Sequence, residues 1–308
     1  MQCAFVIWAV TVDAQRSGGS VGKAASRTGT LRHDRSTTDP AYDDGVWTLA
    51  IVLGLALGAC NAAPASGGGG DPDGATAHGD FDPKFSEVRI EIDYETGQQP
   101  YTGQVVGFGD AFDLSAANLD RIFAGTRTLE LPRTLGEMKD VGEITDEEIT
   151  VDDMLALAAA HRDQADTATV KTYYVLFVSG HFADASGVQS SVLGVALSEP
   201  DVVVMFKDVI RSTASLANPN AEKFVEQSTL IHELGHAVGL VGLGVVATSA
   251  HEDSAHGAHC TNDSCVMYWL NEGASTATQF ALQHAITNDS ILFGPECLAD
   301  VDALTGGP

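Results

Sequence analysis

The sequence predicts an α+β domain in which one mixed, twisted sheet packs on two helices. Three observations predict it. Residues 87–94, EVRIEIDY, alternate apolar and polar side chains, as a half-buried strand does. Three further segments, 171–180, 191–198 and 201–209, are rich in β-branched and aromatic residues. Two segments, 151–163 and 221–238, carry helix boundaries.

The elements follow in order. The strand 87–94 comes first, and a short helix is expected over 116–124. Thr150, with Asp153 three residues on, caps the helix 151–163. KTYYVLFVSG (171–180) is apolar almost throughout and reads as a central strand, followed by SVLGVALS (191–198) and DVVVMFKDV (201–209). Pro219 and Asn220 open the long helix 221–238, which Gly239 closes. A loop rich in His, Asp and Ser runs to about 265, and PECLADVDAL near the end suits a final short helix.

Composition narrows the function. The 308 residues are 44% hydrophobic, enough for a core and against global disorder. Lys and Arg number 16 against 42 Asp and Glu, a formal charge of −26 that excludes nucleic acid as a partner. Five cysteines are too few for a dense disulfide framework.

The N-terminal part reads as targeting sequence. Residues 46–59, VWTLAIVLGLALGA, form an uncharged apolar run that ends at Cys60. It is shorter than the about 20 residues of a membrane span and suits a signal-peptide core. Leu57-Gly58-Ala59-Cys60 resembles a bacterial lipobox, which implies lipidation of Cys60 and a flexible, Gly-rich tether over 61–80. Residues 1–45 are polar and patternless, and Asp43 and Asp44 precede the run instead of Lys or Arg. They are expected to be a disordered or mis-assigned leader, with the true start at Val46. The ordered domain is expected over 81–308, in an exported cell-envelope lipoprotein or an extracellular protein. A core segment ending in an inert Cys is the plainer alternative.

Chemistry concentrates in LIHELGHAVGL, residues 230–240. His232 and His236 stand four apart, one helical turn, so both rings can reach one Zn²⁺ at about 2.0–2.1 Å. Glu233 is then placed as general base toward a metal-bound water. An H-E-x-x-H string also arises by chance in surface helices. Here it lies among Leu230, Ile231, Leu234, Ala237 and Val238, where two His and a Glu would be costly without a shared task. Gly235 inside the helix disfavours it by about 1 kcal/mol against Ala, which suggests a need for close packing.

This segment resembles the metzincin zinc endopeptidases, whose motif runs H-E-x-x-H-x-x-G-x-x-H before a Met-containing turn. His232, Glu233, His236 and Gly239 match, but Gly242 stands where the third His belongs. The pattern resumes at HCTNDSCVM, residues 259–267, which is similar to the archaemetzincin continuation H-C-x4-C-x-M through His259, Cys260, Cys265 and Met267. Residues 242–258 then read as an insertion. The resemblance implies a metzincin-like zinc-peptidase domain: a sheet on an active-site helix and a second helix, then an irregular C-terminal part with the Met turn. It implies one catalytic Zn²⁺ held by His232, His236 and His259, with Met267 beneath it, and a peptide or protein substrate. His251 and His256 remain alternatives for the third ligand, and Glu252 is a poor one. Tyr268 is a candidate for holding the oxyanion, or simply a packed ring.

Archaemetzincins hold a second, structural zinc with a set of four cysteines. This chain has only Cys297 after Cys265, so an all-cysteine site of that kind is not available. In an exported protein a disulfide between Cys260 and Cys265 is expected, or one of them with Cys297. Two other functional classes stay open: a catalytically silent zinc-binding module, and a zinc hydrolase of a non-peptide amide. Glu233 favours the active peptidase.

Overall fold

Two long parallel strands organise the chain in the computed structural model, which describes residues 79–105, 109–123, 127–214, 220–287 and 290–306. The expected leader 1–45, the apolar run with Cys60, and the tether up to residue 78 lie outside the described residues. Among those described, no helix is long and apolar enough to cross a membrane.

The main sheet has six strands: β1 (Glu87–Tyr94), β2 (Thr128–Glu130), β3 (Lys139–Asp140), β4 (Val170–Val178), β5 (Gly194–Leu197) and β6 (Val202–Phe206). Their order is β5-β6-β4-β1-β2, and β3 pairs with β1 beyond β2. Every pairing is parallel except β5 with β6. The register of β1 on β4 runs from Glu87 opposite Val170 to Tyr94 opposite Phe177. Tyr173 through Val178 are fully buried, which confirms β4 as a central strand. The helices are α1 (Asp113–Ile122), α2 (Val151–His161), α3 (Lys207–Ser212), α4 (Ala221–Ala237), α5 (Ala274–Thr287) and α6 (Pro295–Thr305). As the sequence suggests, Thr150 caps α2 by accepting from the Asp153 N–H, and the Asp153 carboxylate reaches back to the Thr150 N–H.

Three expectations need correction. β1 is not half-exposed, because parallel strands flank it on both sides and its two faces are covered. Two of its acidic residues are buried and partnered: Glu91 accepts from the N–H groups of Asp163 and Gln164 at 2.7 and 2.8 Å, and Asp93 from the Tyr174 hydroxyl at 3.0 Å. The strand expected over 201–209 ends at Phe206, opposite Val178, the last residue of β4. With no neighbour left to pair, Lys207 turns into α3. The C-terminal part is less irregular than expected, since α5 and α6 occupy much of it.

One buried ion pair ties α4 to the sheet. Lys207 at the start of α3 and Glu226 on α4 form a salt bridge with both side chains inaccessible. The Tyr101 N–H donates to the other Glu226 oxygen at 2.7 Å, and the Lys207 ammonium sits 3.7 Å from the Tyr101 ring centroid. Every charge here depends on a specific partner. Lys207→Ala should therefore strand the Glu226 carboxylate and lose about 3–5 kcal/mol in urea denaturation. The double variant Lys207→Ala/Glu226→Ala should lose less than the sum of the two single changes. Additive losses would show that the pair contributes no mutual stabilisation.

Candidate metal centre

The end of α4 fixes where the chain can go next. Gly239 adopts φ +87°, a conformation that L side chains rarely take. The Leu240 N–H returns to the Gly235 carbonyl and the Gly239 N–H to the His236 carbonyl, both at 3.0 Å. This is the Schellman pattern, and it ends the helix at Ala237, one residue past His236. Val241 and Gly242, at φ +52° and +82°, continue the reversal. The inserted segment then folds back on itself: the Asp253 N–H donates to the His259 carbonyl at 2.7 Å and the Thr261 N–H to that of His251 at 2.8 Å. Beyond it, the Cys260 N–H donates to the Met267 carbonyl at 2.8 Å. His259 is thereby held between the insertion and the Met turn.

His232, His236 and His259 converge with Glu272, their ligand-type atoms all within 4.8 Å of one another. The His232 and His236 Nε2 atoms lie 3.0 Å apart. Two zinc-bound nitrogens on a tetrahedron would stand about 3.3 Å apart, given bonds of about 2.0–2.1 Å. The far sides of two rings are occupied. His232 Nδ1 meets the Val266 carbonyl at 2.7 Å, and His259 Nδ1 meets the His256 carbonyl at 2.9 Å. A carbonyl only accepts, so each Nδ1 carries a proton, and in the neutral ring, the form that binds a metal, each Nε2 turns a lone pair inward. The three rings are at most 9% exposed. Inward lone pairs in a buried site repel one another unless a cation lies between them, so these residues fit a zinc ion.

Glu233 is buried beside the three rings. Burial pushes its proton affinity well above the ordinary carboxylate value, the Glu272 charge adds to this, and the Ala196 N–H opposes it. Room for its side chain comes from the edge strand: a Cβ at Gly194 would lie 2.8 Å from Glu233 Cγ. His236 is shifted the other way, well below the usual imidazole value, by burial and by the neighbouring His232 and His259. Burial also lowers His259, but the Glu272 carboxylate outweighs it and the net shift is upward.

Met267 packs against α4 at Gly235, between His232 and His236 in the sequence. A Cβ on Gly235 would collide with Met267 Sδ and approach the Phe293 ring to 3.3 Å. The glycine inside the helix thus serves the Met turn. Tyr268 follows, its ring tilted against Trp269 at 6.1 Å and its N–H donating to the Cys265 carbonyl.

The two alternative third ligands lie elsewhere. His256 bonds Asp253 at 2.7 Å and stacks on Trp269 at 3.9 Å between centroids. His251 Nε2 lies 2.6 Å from Asp300 Oδ2, and its Nδ1 lies 3.5 Å from Cys260 Sγ. Cys260, Cys265 and Cys297 are all unbridged thiols, so the expected Cys260–Cys265 disulfide is not formed. Cys265 Sγ instead lies 3.6 Å from Cys297 Sγ, well beyond the about 2.05 Å of a disulfide. A tetrahedral zinc would set two sulfurs about 3.8 Å apart, and a sulfur and a nitrogen about 3.6 Å apart. The Asn262 and Gly294 N–H groups donate to Cys260 and Cys265 sulfur at 3.4 and 3.0 Å. S–H donation from Cys265 and Cys297 holds the Cys260 thiol low, and those two are pushed up in turn. The sequence reading missed Glu272, the Asp300 partner of His251, and the meeting of His251 with the thiols. Its one usable signal was the count of His in the insertion.

No protein-family model matches the sequence, and no curated protein does. Among solved structures, the chain is similar to an archaemetzincin from Methanopyrus kandleri, with 15% identity, a TM-score of 0.39, and coverage of 73% of this chain and 99% of that one. It is also similar to a zinc-dependent peptidase from Methanocorpusculum labreanum, with 13% identity, a TM-score of 0.37, and coverage of 69% and 99%. An archaemetzincin from Archaeoglobus fulgidus, complexed with malonate, has 13% identity, a TM-score of 0.35 and the same coverage, 69% and 99%.

Gly235→Ala tests the packing beneath the rings. Helix propensity alone would favour Ala by about 1 kcal/mol. The collision with Met267 should outweigh this and destabilise the protein by about 1–3 kcal/mol, read from the urea midpoint. A stabilised variant would show that Met267 has space to move aside.

Proposed function

We propose that this chain is a zinc-dependent metalloendopeptidase, with His232, His236 and His259 as metal ligands and Glu233 as general base. The observation that carries the reading is the convergence of the three buried rings. Val266 and His256 carbonyls turn two of them so that their lone pairs face inward. Zinc, when bound there, would supply Lewis-acid polarisation of the scissile carbonyl and would acidify water. Glu233 takes the proton from the attacking water and delivers it to the leaving amine. Its raised proton affinity suits it to hold that proton between the two transfers. The Ala196 N–H, on the edge strand β5, steadies its carboxylate. Within the main sheet β5 pairs only with β6, so its other edge offers backbone groups along which an extended peptide can lie.

The Cys cluster supports a second, structural zinc in place of the expected disulfide. Cys260 and Cys297 supply thiolates and His251 supplies Nδ1, all within 4.8 Å of one another, and Cys265, whose Sγ lies 3.6 Å from that of Cys297, is the proposed fourth donor. Asp300 holds His251 by its other nitrogen, the carboxylate–histidine arrangement common at zinc sites. Zinc coordination would also keep three thiols from oxidising in an exported protein, the setting that the proposed lipidation of Cys60 requires.

Glu233→Gln separates the peptidase from a silent binding module. It should keep its catalytic zinc and fold normally, while chelator-sensitive peptide hydrolysis falls by about 10²–10⁴. His236→Ala and His259→Ala should lose that zinc together with activity. A wild type that binds zinc yet cleaves nothing across a broad peptide library would favour the silent module.

For the second site, metal analysis should return two zincs per chain. Cys297→Ser should lose one of them and His251→Ala should weaken the same one. A single zinc per wild-type chain, with Cys297 found in a disulfide, would remove the structural site.

A further inference from the structure

The feature not absorbed by this reading is Glu272. It ends the single 3-10 turn Trp269–Glu272 that follows the Met turn, and Gly273 after it bridges to Val192 beside the sheet edge. Its Oε1 lies 2.7 Å from His259 Nε2 and 3.9 Å from His232 Nε2, and its side chain is 16% exposed.

A plain ion pair with His259 would account for the short distance but not for its direction. Glu272 Oε1 lies within ligand-atom reach not of His259 alone but of all three rings. His259 Nδ1 already holds a proton against the His256 carbonyl. The carboxylate therefore faces the common centre of the three rings. Among the described residues, no Lys or Arg ion-pairs with it. Glu233 is buried in the same place, and a buried carboxylate beside one whose side chain is only 16% exposed is unfavourable without a cation. One divalent ion at the centre balances both.

We infer that Glu272 is a fourth protein ligand, which occupies the position a water or substrate carbonyl must take and so keeps the centre closed at rest. This rests on the proposed zinc site. Zinc sites with four protein ligands are closed, whereas hydrolytic ones leave one position open. Peptide hydrolysis here then requires Glu272 to swing away first. Glu272 is freer to move than His232 and His259, whose rings are pinned by backbone carbonyls.

The test uses the full-length zinc-loaded protein and acetohydroxamate, a small chelating probe of an open position on zinc. Zinc affinity is measured by chelator competition and probe affinity by calorimetry, for wild type, Glu272→Ala and the isosteric Glu272→Gln. Removing the fourth ligand should weaken zinc about tenfold or more, as loss of a supporting group does. Acetohydroxamate should bind about tenfold or more tightly to Glu272→Ala than to wild type, with Glu272→Gln between them. A residue that merely stabilises the fold would leave the probe's affinity unchanged or reduce it. Equal probe affinity in wild type and in either folded variant overturns the inference while leaving the zinc site standing. If His232→Ala binds zinc as the wild type does, the zinc site itself fails and Glu272 with it.

Discussion

The contact on which the site depends is between His232 Nδ1 and the Val266 carbonyl, at 2.7 Å. It does two things. It sets the tautomer of a helix residue, so that the ring's lone pair points away from the Met turn. It also ties α4 to a segment more than 30 residues further along, which holds Met267 under the helix. The same carbonyl accepts from the Asn271 amide at 2.9 Å, so the 3-10 turn after Met267 is clamped by the group that orients the ring. A side chain that must present a lone pair cannot satisfy both its nitrogens internally. The fold meets that constraint by giving up one backbone acceptor to each of two rings.

Space is arranged by glycine as carefully as charge is by hydrogen bonds. Gly194 leaves room for the Glu233 side chain, Gly235 for Met267, and Gly239 for the reversal of the backbone. Each sits on a different element: edge strand, helix interior, helix end. At Gly194 and Gly235 a methyl group would press on Glu233 or on Met267, and at Gly239 the positive φ disfavours any side chain. The helix gives up intrinsic propensity at Gly235 and recovers it through packing, the usual order of importance for a helix whose stability is tertiary.

Much of this was legible in the sequence because its signals are local. The strands 87–94 and 171–180, the capped helix after Thr150 and the Gly239 stop all rest on residues within a turn or two of each other. The pair His232 and His236 is local as well, and His259 was reachable through its spacing to Met267. Glu272 was not, since a carboxylate five residues past Met267 looks like any solvated acid until the chain folds over it. Nor was the His251–Asp300 pair, whose partners are 49 residues apart and meet only when α6 packs. The cysteines misled for a related reason. Counting them favours a disulfide, whereas the fold brings an imidazole from the insertion to the thiols. β1 misled because alternation reads as exposure, while here its acidic residues alternate into buried hydrogen bonds.

His259 and Cys260 are consecutive residues, and they serve different clusters. One ring turns toward His232 and His236, and the next side chain turns toward His251 and the thiols. If both clusters hold zinc as proposed, a single peptide unit is shared between them, and its conformational freedom is lost only once. The first ion to arrive would bear that loss, and the second would find its ligand already in place. Uptake by two such centres would then be positively linked, with no movement of either site required, because entropy is the quantity they would hold in common. The insertion that separates His259 from the helix would make the linkage stronger: the longer the free segment, the more disorder the first ion must remove.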